Sequence, residues 1–385
     1  MKVLHINTER TWRGGEQQTL YLADGLHRRG HDSHVLCPPG APLGEKARSL
    51  GLETFEFSLR GELNPMAIGR IAKLLKKVKY DVVHMHTSHA HTLGCAAATI
   101  TGQGLRIVSR RVDFSIHRHK LSVSGWKYRF GVDHFIAISK AVRDVLVKDG
   151  IPAERISIVY SGIDPGRFES VPPVDLKSEL KLAREARLVG CVAHFGWHKA
   201  QEYLIRAIPE LRRQVPEAVV LLIGHGDREE LLREEAAKLS PEDREHLVFT
   251  GFRSDIPSVL HALDVFVMPS VLEGLCTSIL DALVCERPVV ASKVGGIPEI
   301  VRPGQTGVLV PPKEPVALAE GIASLLLDAQ EARRLGRGGR EMVEREFTYD
   351  ATCEGTLAVY ERLLADSRRR SERPRSHSRE TSSGL

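Results

Sequence analysis

Glu273 and Asp281 stand eight positions apart in the run Pro269-Ser270-Val271-Leu272-Glu273-Gly274-Leu275-Cys276-Thr277-Ser278-Ile279-Leu280-Asp281-Ala282-Leu283. The apolar period starts a helix between them, around Cys276 to Ser278. The first turn of a helix carries N–H groups without intrahelical partners, together with the positive end of the dipole, so its amides can hold a diphosphate. Glu273, just before the helix, can accept hydrogen bonds from sugar hydroxyls, and Asp281, a turn or so inside it, from a second polyol such as a ribose. A plainer account exists: Ser278 followed by Asp281 has the spacing of a capping box, with the carboxylate serving the helix. On these residues alone both accounts stand.

Gly14-Gly15 lies in Trp12-Arg13-Gly14-Gly15-Glu16, between an apolar run and a helix beginning near Gln17. A glycine pair there lets the backbone approach an anion at a helix N-terminus, or simply makes a tight turn. Gly224-His225-Gly226 follows another apolar run, but Glu229 replaces the third glycine of a dinucleotide fingerprint and the turn from Asp227 to Glu230 is acidic. Such a turn repels a pyrophosphate, which disfavours an NAD-dependent dehydrogenase. His84, His86, His89 and His91 crowd the end of one run, with His84 and His86 on one strand face. A metal site is conceivable there, but no carboxylate or thiol is near in sequence, so one or two of these histidines are expected to line a cleft and the others to lie on the surface. Residues 106–130 hold Arg106, Arg110, Arg111, Arg118, Lys120, Lys127 and Arg129 against the single acid Asp113, with Trp126, Tyr128 and Phe130 interleaved. Arg70, Lys73, Lys76, Lys77 and Lys79 form a second basic stretch on a helix. Basic residues mixed with aromatics suit an anionic lipid surface or a phosphorylated saccharide, whereas 70–79 reads equally well as a solvated helix face.

These residues sit at the ends of short β-branched runs that alternate with segments of helical period, the signature of βαβ units around parallel sheets. Strands are predicted near 2–6, 33–37, 52–56, 81–85, 105–109, 134–138 and 156–160, then again near 188–193, 218–223, 247–250, 264–268, 288–291 and 307–310. The fold class is therefore α/β, with two Rossmann-like parallel-sheet domains facing across a cleft. The first covers 1–170 and the second 171–347; a helix at about 348–365 is expected to pack back on the first. Residues 366–385 hold six Arg against Asp366, Glu372 and Glu380 and almost nothing apolar, so a disordered basic tail is expected. The chain's 385 residues, 42% apolar and 27% charged, can bury a core in each domain, and the net charge of +5 comes largely from the tail. That excludes a protein basic over its whole surface and argues against nucleic acid as the partner. Six scattered Cys without a C-x-x-C pair argue against a disulfide framework or a zinc ribbon. Without an apolar N-terminal core or an 18-residue apolar stretch, the cytoplasm is the expected compartment.

The acidic run continues to Arg287-Pro288-Val289-Val290-Ala291-Ser292 and Gly295-Gly296-Ile297-Pro298-Glu299. With Gly14-Gly15-Glu16, the strand ending in His86, Ile138-Ser139, Ser161-Gly162-Ile163-Asp164, Lys199, Gly224-x-Gly226 and Phe249-Thr250-Gly251-Phe252, it resembles the family 4 retaining glycosyltransferases of the GT-B fold over roughly residues 1–365. The resemblance implies that Glu273 contacts the donor sugar and that Gly274 and the amides of Leu275, Cys276 and Thr277 meet the diphosphate. It further implies Lys199 on the phosphate, the backbone near Phe252 and Arg253 on the base, and Gly14, Gly15, His194, Gly224 and Asp281 in the donor site. Glu273, Lys199 and His86 would be catalytic, and Arg110 and Arg111 would face the acceptor. Three positions depart from the family pattern: Asp281 where Glu is usual, His194 where many members have an Arg beside the lysine, and Ser109-Arg110-Arg111 where many place a His.

The reading that follows is a cytoplasmic enzyme, peripheral on the inner face of the membrane at most. It moves a sugar from a nucleotide-diphosphate donor to a saccharide or lipid-linked acceptor in cell-envelope or polysaccharide synthesis, with no permanent cofactor and no metal. Retention of configuration rests on the resemblance alone. A catalytically inactive nucleotide-sugar binder, a nucleotide-sugar epimerase of the same fold and a nucleic-acid binder acting through the basic tail are the alternatives.

Overall fold

The computed structural model describes residues 1–372 apart from 60, 62, 116–127 and 129–130. Short runs such as Val82–Met85, Val265–Met268 and Val289–Ser292 are buried at every position, as strands covered by helices on both faces must be. They assemble into two all-parallel sheets. The first has seven strands: β1 (Lys2–Ile6), β2 (Asp32–Cys37), β3 (Glu53–Glu56), β4 (Val82–Met85), β5 (Leu105–Arg110), β6 (His134–Ala137) and β7 (Ile156–Ile158), in the order β3-β2-β1-β4-β5-β6-β7. The second has six: β8 (Arg187–Val192), β9 (Ala218–Ile223), β10 (Leu247–Gly251), β11 (Val265–Met268), β12 (Val289–Ser292) and β13 (Gly307–Val310), in the order β10-β9-β8-β11-β12-β13.

In both sheets the strand order reverses beside the first strand, between β1 and β4 and between β8 and β11. Ligands of such sheets lie beyond the carboxyl ends of the strands at that reversal. Those ends lead here into Gly14-Gly15 (after β1), His86 (after β4), His194 to Lys199 (after β8) and Glu273 (after β11).

The helix Tyr349–Glu372 returns to the first sheet. Ile163 N–H donates to the Phe347 carbonyl (2.9 Å) and Tyr349 N–H to the Ile163 carbonyl (2.7 Å), which fixes where the chain crosses back. Cys353, Val359 and Tyr360 then share a core with Val3, Leu22, Leu26, Val82, Ile107 and Ile136. Residues 366–372, assigned to a disordered tail by composition, continue this helix; Arg and Glu are good helix formers, and no proline intervenes before Pro374. The rest of the tail lies outside the described residues, as do Arg118, Lys120, Trp126, Lys127, Arg129 and Phe130 of the basic segment. All six cysteines are buried.

Candidate active site in the interdomain cleft

The helix carrying Asp281 runs from Thr277 to Val284, and Cys276 at its N-cap position holds φ at 75°. A non-glycine residue in the left-handed region is strained. Here the backbone is pinned on both sides: the Gly296 amide donates to the Glu273 carbonyl (3.0 Å) and Ile279 N–H to the Cys276 carbonyl (3.1 Å). No side chain caps this helix, so its first-turn amides keep their capacity for a ligand. Gly274 and Gly295 let three segments meet: a Cβ on Gly274 would fall 2.2 Å from the Arg111 carbonyl oxygen, and one on Gly295, at φ 49°, 1.8 Å from the Glu273 carbonyl oxygen.

Glu273 is 8% exposed. Its Oε1 accepts from Lys199 Nζ (2.5 Å) and from Ser270 Oγ (2.8 Å). Burial works against the Lys199 charge, but Cys276, whose Sγ lies 4.0 Å from Nζ, and the Glu273 carboxylate hold the ammonium above its ordinary range. The result is a buried, charged pair beside the uncapped helix end.

Asp281 does not serve its own helix. Among the described residues nothing hydrogen-bonds its carboxyl, which faces Arg167 and Tyr21 of the first domain across the cleft. Burial raises it to about 7, with Arg167 opposing. The capping account therefore fails here: the N-cap residue is Cys276, not Ser278, and no capping bond forms.

At the same edge of the second sheet, beyond β8, His194 Nε2 lies 3.2 Å from Asp227 Oδ1. The imidazole packs against the Gly224-x-Gly226 turn, where a Cβ on Gly226 would meet it at 2.8 Å. Phe252 is 71% exposed beside His225, an open ring at the position expected for a base. The Arg253 guanidinium is tied to Glu179 and Asp255 (2.5 and 2.7 Å), so only its backbone remains for that role.

The first domain's wall is built by residues far apart in sequence. Gly14 begins the helix Gly14–Arg28, and a Cβ on it would lie 3.7 Å from Thr277 Oγ1; one on Gly15 would lie 4.0 Å from Arg111 Cδ. His86 is buried, with Nε2 3.0 Å from His5 Nδ1 and Nδ1 3.3 Å from an Arg111 guanidinium nitrogen. Because a guanidinium only donates, His86 Nδ1 accepts, its Nε2–H donates to His5 Nδ1, and the proton left on His5 Nε2 is buried with no partner among the described residues. His84, the register partner of His5, meets Tyr360 Oη at 2.6 Å and Ser109 Oγ at 2.8 Å. Burial keeps all three imidazoles neutral, His5 pulled down to about 3 and the others well below their ordinary value.

His5, His84 and His86 lie close enough to form a candidate metal trio. Yet their lone pairs already accept from Arg111, from His86 and from a hydroxyl beside His84, and a guanidinium adjoins the trio, so the donor set suits a hydrogen-bond chain better than a cation. Sequence reasoning missed His5, which the register of β1 on β4 brings opposite His84. His84 and His91 are buried in the core rather than on the surface, His91 between Tyr128 and Phe135.

Arg110 is turned inward instead of facing an acceptor: it is 8% exposed, with Nη1 donating to Tyr128 Oη (2.8 Å) and Nη2 to the Phe114 carbonyl (2.6 Å). Arg111 takes the cleft position. Asp113, noticed in the sequence only as the lone acid of a basic stretch, reaches the opposite domain, where Oδ2 accepts from the Glu273 amide at 3.2 Å. Burial raises its carboxyl, partly offset by backbone amides. Glu299 closes the contact from the other side, its carboxylate accepting from the amides of Lys140 (2.9 Å) and Ala141 (3.1 Å) and from Tyr160 Oη (2.9 Å).

Known proteins resemble the chain in both of its halves. Residues 175–342 match the model of the glycosyl transferases group 1, and residues 12–167 that of glycosyltransferase family 4. A GDP-mannose-dependent alpha-(1-6)-phosphatidylinositol monomannoside mannosyltransferase of Mycobacterium tuberculosis is 31% identical over 378 residues, 90% of this chain and 94% of the relative. A 2-deoxystreptamine glucosyltransferase of Streptomyces kanamyceticus is 29% identical over 82% of this chain and 79% of its own length. Among solved structures, HepE of Anabaena in complex with UDP superposes with a TM-score of 0.81 at 22% identity, covering 95% of this chain and all of that one. No helix among the described residues is long and apolar enough to cross a membrane. With both halves matched and both sheets in place, the chain belongs to the family 4, group 1 glycosyltransferases and has their two-domain GT-B fold.

Proposed function

We propose that the chain transfers a sugar from a nucleotide-diphosphate donor to a saccharide or lipid-linked acceptor, with retention of configuration. The observation that carries this reading is the uncapped N-terminus of the helix Thr277–Val284, flanked by the Lys199–Glu273 pair and opposed by Gly14 and Gly15. As the glycosidic bond breaks, negative charge grows on the β-phosphate, and fixed amides with a nearby cation stabilise it without reorganising. Glu273 keeps Oε2 for the transferred sugar, since Lys199 and Ser270 occupy Oε1. Asp281 faces the cleft one turn deeper, where a ribose would lie. His86 lines the wall opposite, on the side expected to take the acceptor. No step of this reading calls for a metal.

The donors named for its relatives and neighbours support this class: GDP-mannose for the mycobacterial mannosyltransferase, and UDP or UDP-glucose in the Anabaena complexes. A lipid-linked acceptor agrees with the helix Pro65–Val78, where exposed Arg70, Lys73, Lys76 and Lys77 accompany exposed Met66, with exposed Leu63 just before its cap. Such a mix of cations and apolar tips suits the inner face of an anionic membrane, and with it a role in cell-envelope or polysaccharide synthesis. The test is release of nucleoside diphosphate from UDP-glucose and GDP-mannose, with and without phosphatidylinositol-containing vesicles and chelator. Acceptor-dependent release that Glu273→Gln reduces at least about tenfold, with free UDP or GDP binding retained, is the expected result. Conversion of donor without acceptor would point to an epimerase, and binding without turnover to an inactive binder.

A further inference from the structure

The second domain is short of charge for a diphosphate. The cation at its helix end, Lys199, is already paired with Glu273, and His194, the other residue expected there, is turned to Asp227. A donor diphosphate carries at least two negative charges, so helix amides alone would face it across a local balance near zero.

The first domain holds the opposite imbalance. Arg111 points into the cleft beside Gly15, and among the described residues no carboxylate lies within ion-pair distance of it. Among the described residues its guanidinium donates only to neutral acceptors, Ser161 Oγ and His86 Nδ1, each at 3.3 Å, and its buried Nε–H finds no partner. Burial pulls it down to about 10; the one carboxylate that acts on it, Glu16, is itself taken by the Asn7 side chain and the Arg13 amide. A guanidinium with unused donors and no counter-ion is costly inside a protein unless an anion completes it. The segment around it is held against the donor helix, the Arg111 carbonyl lying where a Gly274 side chain would be.

Resting on the reading that the cleft takes a nucleotide-diphosphate donor, we propose that Arg111 is the second cation on that diphosphate, supplied from the first domain in place of the one His194 does not provide. Two departures from the family pattern then compensate each other: a cation is absent at 194 and present at 111. One consequence follows for binding. The diphosphate bridges helix amides and Lys199 of one domain to Arg111 of the other, so its full neutralisation exists only with the cleft closed.

The experiment compares Kd for UDP and GDP with Kd for UMP and GMP in the full chain, in Arg111→Gln, in Arg111→Lys and in Arg111→Gln/His194→Arg, beside melting curves. Arg111→Gln should weaken the diphosphates about tenfold or more and the monophosphates by less than about threefold. Arg111→Lys should fall between, and His194→Arg should restore part of the loss. Equal weakening of mono- and diphosphates, or none, would overturn the assignment while leaving the donor reading intact. So would intact diphosphate affinity with a raised KM for a phosphate-bearing acceptor alone, which would give Arg111 to the acceptor. If the unaltered protein binds no nucleoside diphosphate, the donor reading fails first and takes this one with it.

Discussion

Asp281 is the residue whose chemistry changed most between sequence and structure. Its spacing from Ser278 fitted a cap, but the carboxyl faces Arg167 and Tyr21 across the cleft and is raised from 3.8 to about 7 by burial. A raised carboxyl favours the protonated form in the free fold. Its contribution to stability is therefore whole below about pH 4 and lost as pH rises through about 7. Asp281→Asn should melt higher than the unaltered protein at pH 8 and show little difference at pH 4. Ribose hydroxyls, in contrast, are best accepted by the ionised form, so UDP or GDP affinity should rise about tenfold between pH 6 and pH 8. The phosphate's own titration contributes equally to both proteins, so the difference in slope against Asp281→Asn isolates the carboxyl. Parallel pH profiles in the two proteins would end the ribose assignment.

At the scale of elements, the positions of the strands were readable because parallel strands buried on both faces are continuous β-branched runs, as Val289-Val290 and Val265-Phe266-Val267 are. The second domain's half of the site was readable for a related reason: Glu273, the helix amides and Gly295-Gly296 lie within one contiguous run. Of the first domain's half, Gly14, Gly15, His86 and Arg111 were named from the sequence, whereas His5 and Asp113 were not, because strand register sets His5 opposite His84 and a loop carries Asp113 across to the Glu273 amide. Whether Arg110 or Arg111 faces the cleft is likewise decided by the pleat and by Tyr128, not by composition. The close pass of Gly274 under the Arg111 carbonyl joins these two halves. Gly274→Ala sets a Cβ 2.2 Å from that oxygen and 3.2 Å from Ile138 Cδ1. The contact joins the two walls at the rim of the core that Ile138 closes, outside either sheet, so melting should change by no more than a few degrees. Turnover, which needs the two walls in register, should fall on the order of a hundredfold. Near-normal turnover in this variant would show that the walls need not approach so closely.

For the molecule as a whole, two sheets in separate domains leave their relative position as the variable that binding energy can act on, and polar contacts between the domains add to the apolar core they share. Glu299 stands out among them, since one carboxylate of the second domain caps the helix Lys140–Lys148 of the first through two amides and also accepts from Tyr160. Hydrogen bonds to a charged group contribute roughly 1.5–3 kcal/mol, which is comparable to the free energy separating open and closed forms of hinged proteins. Burial raises the Tyr160 hydroxyl, as does its bond to Glu299, so this donor stays protonated at neutral pH. Glu299→Ala should leave both sheets folded but let the domains part, raising the radius of gyration measured by small-angle X-ray scattering and raising KM for donor more than it lowers kcat. Tyr160→Phe, which removes one of the three bonds, should do the same to a smaller degree. Because the donor itself contacts both walls, saturating UDP or GDP should bring Glu299→Ala back toward the compact form. An unchanged radius of gyration in the free variant would mean that the cleft is held closed by its apolar and backbone contacts, with Glu299 serving only as a cap for the neighbouring helix.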